Sequence, residues 1–242
     1  MSTQPSSALN SKSRSLTCEW TAATSEFNNS CLTLVQKHPY NKDSSALTSF
    51  FNEICPLSEE AIVSIHEQTR AVFFKKGQSL SKPSAKNDNL FFILKGVVRG
   101  YVKHKGEDIT LWINADHEMV GSIPVLGILL PSDQHLQALE DSILVQIPQT
   151  LIEYLCEHFS EASLIGRALI EDHNRCTMEG DSIRRITSPE EKLKKFNESL
   201  PELSDRIPLE YIASYLAMPP DTLIRLRAEM GDVEYSEETV PA

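Results

Sequence analysis

The sequence predicts an α+β chain in which a closed, all-β module precedes a helical C-terminal half. Three observations carry this. From Val72 to Ile147, apolar runs of strand length recur at roughly 8–12 residue intervals between Gly, Pro, Asn and Asp, as in a sandwich or barrel. After Pro148 the apolar spacing becomes helical and stays so. At Thr187-Ser188-Pro189 the helical run breaks and Glu190-Glu191 opens another, which marks a boundary between modules.

Composition bounds the function. The chain has 242 residues, 40% hydrophobic and 24% charged, which suits a globular protein of two modest modules. No apolar run approaches the roughly 20 residues a membrane helix needs, so no membrane partner is expected. Lys12 and Arg14 lie among Ser, Thr and Gln with no apolar stretch after them, so the expected address is cytoplasmic. The cysteines (Cys18, Cys31, Cys55, Cys156, Cys176) form no CxxC pair and offer no convergent thiolates, so neither a metal nor a cofactor is expected. The net charge of −11 works against a nucleic-acid partner, because phosphate binding draws on Lys and Arg.

Taken in order, residues 1–45 are rich in Ser, Thr, Asn and Gln and read as a poorly structured extension. Residues 46–160 form the first module. It opens with a helical run from Leu47 to Glu67, which Pro56 divides and Ser58 restarts. The β runs follow, with Lys105-Gly106-Glu107-Asp108 as a hairpin turn. Residues 161–188 form a long helix. On it Leu169, His173, Cys176, Gly180 and Ile183 recur at four- and three-residue steps, a seam for a second copy of the chain. Residues 189–242 form the last module. There Leu209, Ile212, Ala213 and Leu216 line one short helix, Ala217-Met218-Pro219 turns the chain, and Leu223 and Leu226 line a second helix from Pro220. Two short helices joined this way make either a plain helical hairpin or the motif whose second helix can enter the DNA major groove.

Three stretches resemble the Crp/Fnr transcription regulators. LFFILKGVVRGYVKHKGEDITLWI is similar to the middle strands of their cyclic-nucleotide-binding barrel, and PSDQHLQALEDSILVQIP to its closing strands. IPLEYIASYLAMPPDTLIRLR is similar to their helix-turn-helix. The resemblance spans about residues 47–230. It implies a double-stranded β-helix (jelly-roll) sensor barrel, a dimerisation helix and a winged-helix-like helix-turn-helix domain. It also implies transcription regulation as a homodimer on a pseudo-palindromic duplex DNA operator, with RNA polymerase as a further partner and a small-molecule effector of unknown identity.

The chain departs from that family where its chemistry is done. Nucleotide-binding members carry Gly-Glu for the ribose and Arg-Ser or Arg-Thr for the cyclic phosphate. Here Gly121 keeps the turn, Ser122 stands for the Glu, and Ser132-Asp133 stand for the Arg-Ser pair. An anionic phosphate needs a fixed cation, and Asp133 would repel it, so no cyclic nucleotide is expected. In the reading helix Arg225 matches the family's base-contacting Arg, with Pro220, Asp221, Thr222 and Arg227 as further DNA-facing positions. From Pro189 onward six Lys and Arg face twelve Asp and Glu, and an acidic tail, GDVEYSEETVPA, closes the chain. That balance keeps a second reading open: a family member that has lost specific DNA binding and acts through protein partners or a non-nucleotide ligand. An enzyme is not expected. The histidines are dispersed, with no HExxH, GxSxG or phosphate-cradling Gly loop.

Overall fold

The computed structural model describes residues 44–81, 89–122 and 133–229, so Ser132, the first 43 residues and the acidic tail from residue 230 lie outside the described residues. The described residues open with α1 (Ser45–Ile54) and α2 (Glu59–Gln68). Pro56 separates them, and the Ser58 hydroxyl caps α2 by accepting the Ala61 N–H at 3.4 Å.

Among the described residues eight strands follow: β1 (Arg70–Phe74), β2 (Ser79–Ser81), β3 (Asn89–Lys95), β4 (Val98–His104), β5 (Glu107–Asn114), β6 (Met119–Gly121), β7 (His135–Ala138) and β8 (Ser142–Pro148). They form two antiparallel four-stranded sheets, ordered β1-β8-β3-β6 and β2-β7-β4-β5. The β4–β5 hairpin is tighter than the expected four-residue turn. Lys105 (φ 52°) and Gly106 (φ 91°) alone make it, and Glu107 and Asp108 already belong to β5, opposite His104 and Lys103. Left-handed backbone at both loop residues matches the strands' twist and closes the hairpin in two residues.

The side chains sort into three packed layers. Between the sheets lie Phe74, Phe91, Ile93, Val98, Val120, Ala138 and Leu144. On the outer face of the first sheet, Leu90, Phe92, Leu94, Val145 and Ile147 meet α1, α3 (Gln149–His158) and the start of the 26-residue α4 (Ser160–Arg185). On the outer face of the second sheet, Val97, Ile113 and Leu139 share one core with the C-terminal helices α5 (Pro189–Ser199), α6 (Leu209–Tyr215) and α7 (Pro220–Glu229). The alternation along β4 therefore sends Val98 inward and Arg99 outward toward Tyr211, and both are buried.

Helix α4 does not present the expected seam. Ile183 is 4% exposed within the core of the C-terminal helices, and a Cβ on buried Gly180 would lie 2.9 Å from the Tyr215 hydroxyl. Leu169 packs on the core around α1 and α3. His173 is half-buried and Cys176 exposed. The stripe thus faces mostly its own chain, because the barrel and the C-terminal helices offer apolar surface on that side. The exposed apolar residues of α4 are Leu164 and Met178.

Candidate effector pocket and nucleic-acid interface

At the sensor positions the backbone requires glycine at Gly121. Its φ is +132°, and a Cβ there would sit 2.7 Å from the Asn89 carbonyl oxygen across the β3–β6 pair. Ser122 follows directly, and Asp133 is exposed at the approach to β7. Three of the four predicted positions, Gly121, Ser122 and Asp133, are thus described, and Ser132 lies outside the described residues. Trp112 packs, partly buried, against the core between the sheets. Gly100 on β4 faces Trp112 on β5, and a Cβ at residue 100 would overlap both the Trp112 six-membered ring and the Gln134 amide. Gln134 is 4% exposed, and its Nε2 has no hydrogen-bond acceptor. The sequence reading passed over Trp112 and Gln134. A glycine in mid-strand was the available signal, since it marks close approach of another group.

The paired C-terminal helices are built from α6, a turn and α7. The turn is held from below by Lys192 on α5. This side chain is 8% exposed and donates from Nζ to the Leu216 carbonyl at 2.9 Å and the Ala217 carbonyl at 3.5 Å, placing a cation at the negative end of α6. Ala217 takes a left-handed φ of 50°, and Met218 N–H returns to the Ala213 carbonyl at 3.0 Å. This geometry turns Leu223 and Leu226 fully into the core and leaves Pro220, Asp221, Ile224 and Arg225 exposed, with Thr222 half-buried.

Arg227 lies elsewhere. It is 5% exposed, and its Nη2 donates to the Ser204 carbonyl at 3.1 Å and the Ser204 hydroxyl at 2.7 Å. It follows Leu226 around the helix onto the inner face, so it secures the 200–208 turn and does not face outward with Arg225. Glu190, at the start of α5, has its carboxyl held below the ordinary range, chiefly by the Ser188 hydroxyl and in small part by the charge of Arg225.

The barrel and this helix pair are fastened by polar side chains inside an apolar interface. Arg99 on β4 is 2% exposed and donates to Gln137 (2.9 Å), Thr110 (3.2 Å) and Asp108 (3.0 Å). Its guanidinium is stacked between the rings of Tyr101 at 4.1 Å and Tyr211 at 3.9 Å, the second belonging to α6. The Ser214 hydroxyl accepts the Thr110 N–H at 2.9 Å and donates to the Asp108 carbonyl at 3.1 Å. Arg184 donates to the Leu111 carbonyl at 2.8 Å. Arg206 reaches Asp116 at 2.7 Å and Glu140 at 2.5 Å. None of these roles was legible in the sequence pattern.

Residues 71–159 match the cyclic nucleotide-binding domain family. No curated protein sequence matches the chain. A solved structure from Eubacterium rectale, assigned as a transcriptional regulator of the Crp/Fnr family, is 19% identical with a TM-score of 0.62 over 78% of this chain and 91% of its own. The c-di-GMP responsive global regulator CLP of Xanthomonas campestris is 12% identical, with a TM-score of 0.58 over 72% and 92%. FixK2 of Bradyrhizobium japonicum is 12% identical, with a TM-score of 0.56 over 68% and 85%. Residues 71–159 thus match a cyclic nucleotide-binding domain, and the chain shares the fold of these solved structures. Among the described residues, no helix is long and apolar enough to cross a membrane, and no group of three His, Cys, Asp or Glu is arranged to hold a metal ion.

Proposed function

We propose that the chain regulates transcription as a DNA-binding homodimer, with α7 as its reading helix. The observation that carries this is the presentation of α7: Leu223 and Leu226 anchor it, while Pro220, Asp221, Thr222 and Arg225 face outward beyond the core. Arg225 is the base-reading residue, because a guanidinium pairs with the guanine edge in the major groove. Paired copies related by a two-fold axis would meet a pseudo-palindromic site. The effector is not a cyclic nucleotide. CLP is a c-di-GMP responsive regulator, whereas here Ser122 and Asp133 supply no cation for a phosphate.

A selected duplex and a random one separate the readings. Arg225→Ala should weaken the selected duplex far more than the random one, by roughly 1–3 kcal/mol of discrimination. A specific observation supports a second reading, that of a partner-binding protein. The outer face of α7 also exposes Ile224 at 47%, within a C-terminal module of six basic and twelve acidic residues. Failure of the full chain, and of a chain ending at Glu229, to shift any duplex at low salt would establish that second reading.

A further inference from the structure

The helices that cover the first sheet leave an apolar groove among the described residues. Leu90 of β3 lines it, with Leu47 and Phe51 of α1, Ile65 of α2, Cys156 of α3 and Leu169 of α4. Glu161 is the one charged lining residue, and its carboxylate accepts the Ser58 hydroxyl at 2.7 Å and the Ser58 N–H at 3.1 Å. The groove has a volume of about 50 Å³. A small-molecule site commonly holds roughly 300–1,000 Å³, and a cavity that takes benzene about 150 Å³, so this groove suits an aliphatic side chain.

The chain before Ser44 matches it in reach and in charge. Leu32, Leu34 and Val35 form the last apolar cluster ahead of α1, and they precede Ser44 by twelve, ten and nine residues. Nine residues extend up to roughly 30 Å, whereas Leu47 lies only about 5 Å along α1 from Ser44. Helices α1 to α3 carry six carboxylates (Glu53, Glu59, Glu60, Glu67, Glu153, Glu157) and no Lys or Arg of their own. Between Glu26 and Asp43 the charges are reversed: Lys37 and Lys42, with His38, stand there without one Asp or Glu.

We propose that this groove is the docking site of the chain's own Leu32–Val35 segment, with Lys37 and Lys42 set against the acidic helices. The tether makes the contact intramolecular, so the segment meets the groove at a high effective concentration without needing high affinity. Residues 32–42 then belong to the packing of the barrel's helical face, and a partner that reaches this groove must first displace them.

The test uses the full chain, with the groove thiol of Cys156 as reporter and Cys176, exposed on α4 and outside the lining, as internal reference. Alkylation by iodoacetamide at fixed pH is followed at each cysteine by peptide mass analysis. In the Leu32→Asp/Leu34→Asp variant, Cys156 should react at least about tenfold faster than in the wild type, because a covered site reacts only when it opens. The Cys176 rate should stay the same. Lys37→Glu/Lys42→Glu should speed Cys156 to a lesser degree, as should about 1 M salt on the wild type, which screens exposed charge. Equal Cys156 rates in the wild type and a folded aspartate variant overturn the proposal. Should that variant lose its fold by circular dichroism, the lysine variant decides: a faster Cys156 supports the docking and an unchanged one overturns it. Protection of Cys156 that is lost on dilution assigns the groove to a second copy of the chain and overturns the same-chain occupant. No arm uses DNA, so the regulator reading is tested separately.

Discussion

The guanidinium of Arg99 lies 3.9 Å from the centre of the Tyr211 ring, a contact between the second sheet of the barrel and the first helix of the C-terminal pair. Arg99 is the largest fully buried side chain of the described chain, and Asp108 neutralises it at 3.0 Å. The carboxylate, both neutral acceptors and Tyr101 belong to the barrel, and Tyr211 of α6 covers the open face of the charge.

Replacing Arg99 with Met should therefore lower the unfolding free energy by about 2–4 kcal/mol in urea denaturation, since its hydrogen-bonded partners lose their donor. Tyr211→Leu should cost less, about 1–2 kcal/mol, because the charge keeps its carboxylate and Tyr101. The two losses should fall short of additive in the double variant, as expected for residues in direct contact.

Glu118 gives the stability a pH dependence. Its side chain accepts the Ala115 N–H at 2.7 Å beneath α4, and burial, with Asp172 and Asp116 nearby against the opposing charge of Arg175, raises its pKa to about 7. A carboxyl with a raised folded pKa holds its proton more tightly folded than unfolded. Its contribution is complete below the ordinary value of 4.5 and is lost as the pH climbs through about 7. Glu118→Gln should raise stability at pH 8 by about 1–3 kcal/mol and leave it nearly unchanged at pH 4, by denaturant titration at both.

Ala217 carries a side chain where left-handed backbone favours glycine. Ala217→Gly should stabilise the chain by about 0.5–1 kcal/mol, the strain relieved exceeding the freedom gained by the unfolded chain. Lys192→Met should destabilise it by about 1–3 kcal/mol, because two carbonyls at the end of α6 lose their donor. Thermal melts of both variants check the pair.

Arg225 and Arg227 should separate by assay. Arg225→Ala should leave the melting temperature nearly unchanged and act on DNA. Arg227→Ala should cost about 1–3 kcal/mol of stability, leaving the Ser204 carbonyl without its buried donor, and should not alter the salt slope of DNA binding.

The sequence disclosed what local rules govern. Ser58 and Ser188 mark helix starts, Pro56 and Pro189 mark breaks, and the spacing of Leu223 and Leu226 marks the buried face of α7. It disclosed less where the decision was tertiary. Arg227 and Arg225 are equally basic in a one-dimensional reading, and only the packing of the 200–208 turn assigns one inward. Gly180 and Ile183 fit a seam for a second chain as well as they fit Tyr215 and the core of α5–α7. Spacing cannot say which apolar surface arrives. Trp112 carries no signal of its own in the sequence, because its packing depends on Gly100 across the β4–β5 pair.

The fit of Ser214 on β5 has a consequence beyond holding the modules together. β5 is the outermost strand of its sheet, and such a strand offers unpaired backbone groups to any other chain. The Ser214 hydroxyl takes the Thr110 N–H and the Asp108 carbonyl, and Arg184 takes the Leu111 carbonyl beside a shift in strand register. The helices that read as a DNA module are also the cover on a sticky seam. A chain cut after Arg185 would lose Ser214 and bare an edge on which strands of other molecules can add, so proteolytic loss of the C-terminal helices would favour polymerisation of the remaining barrel.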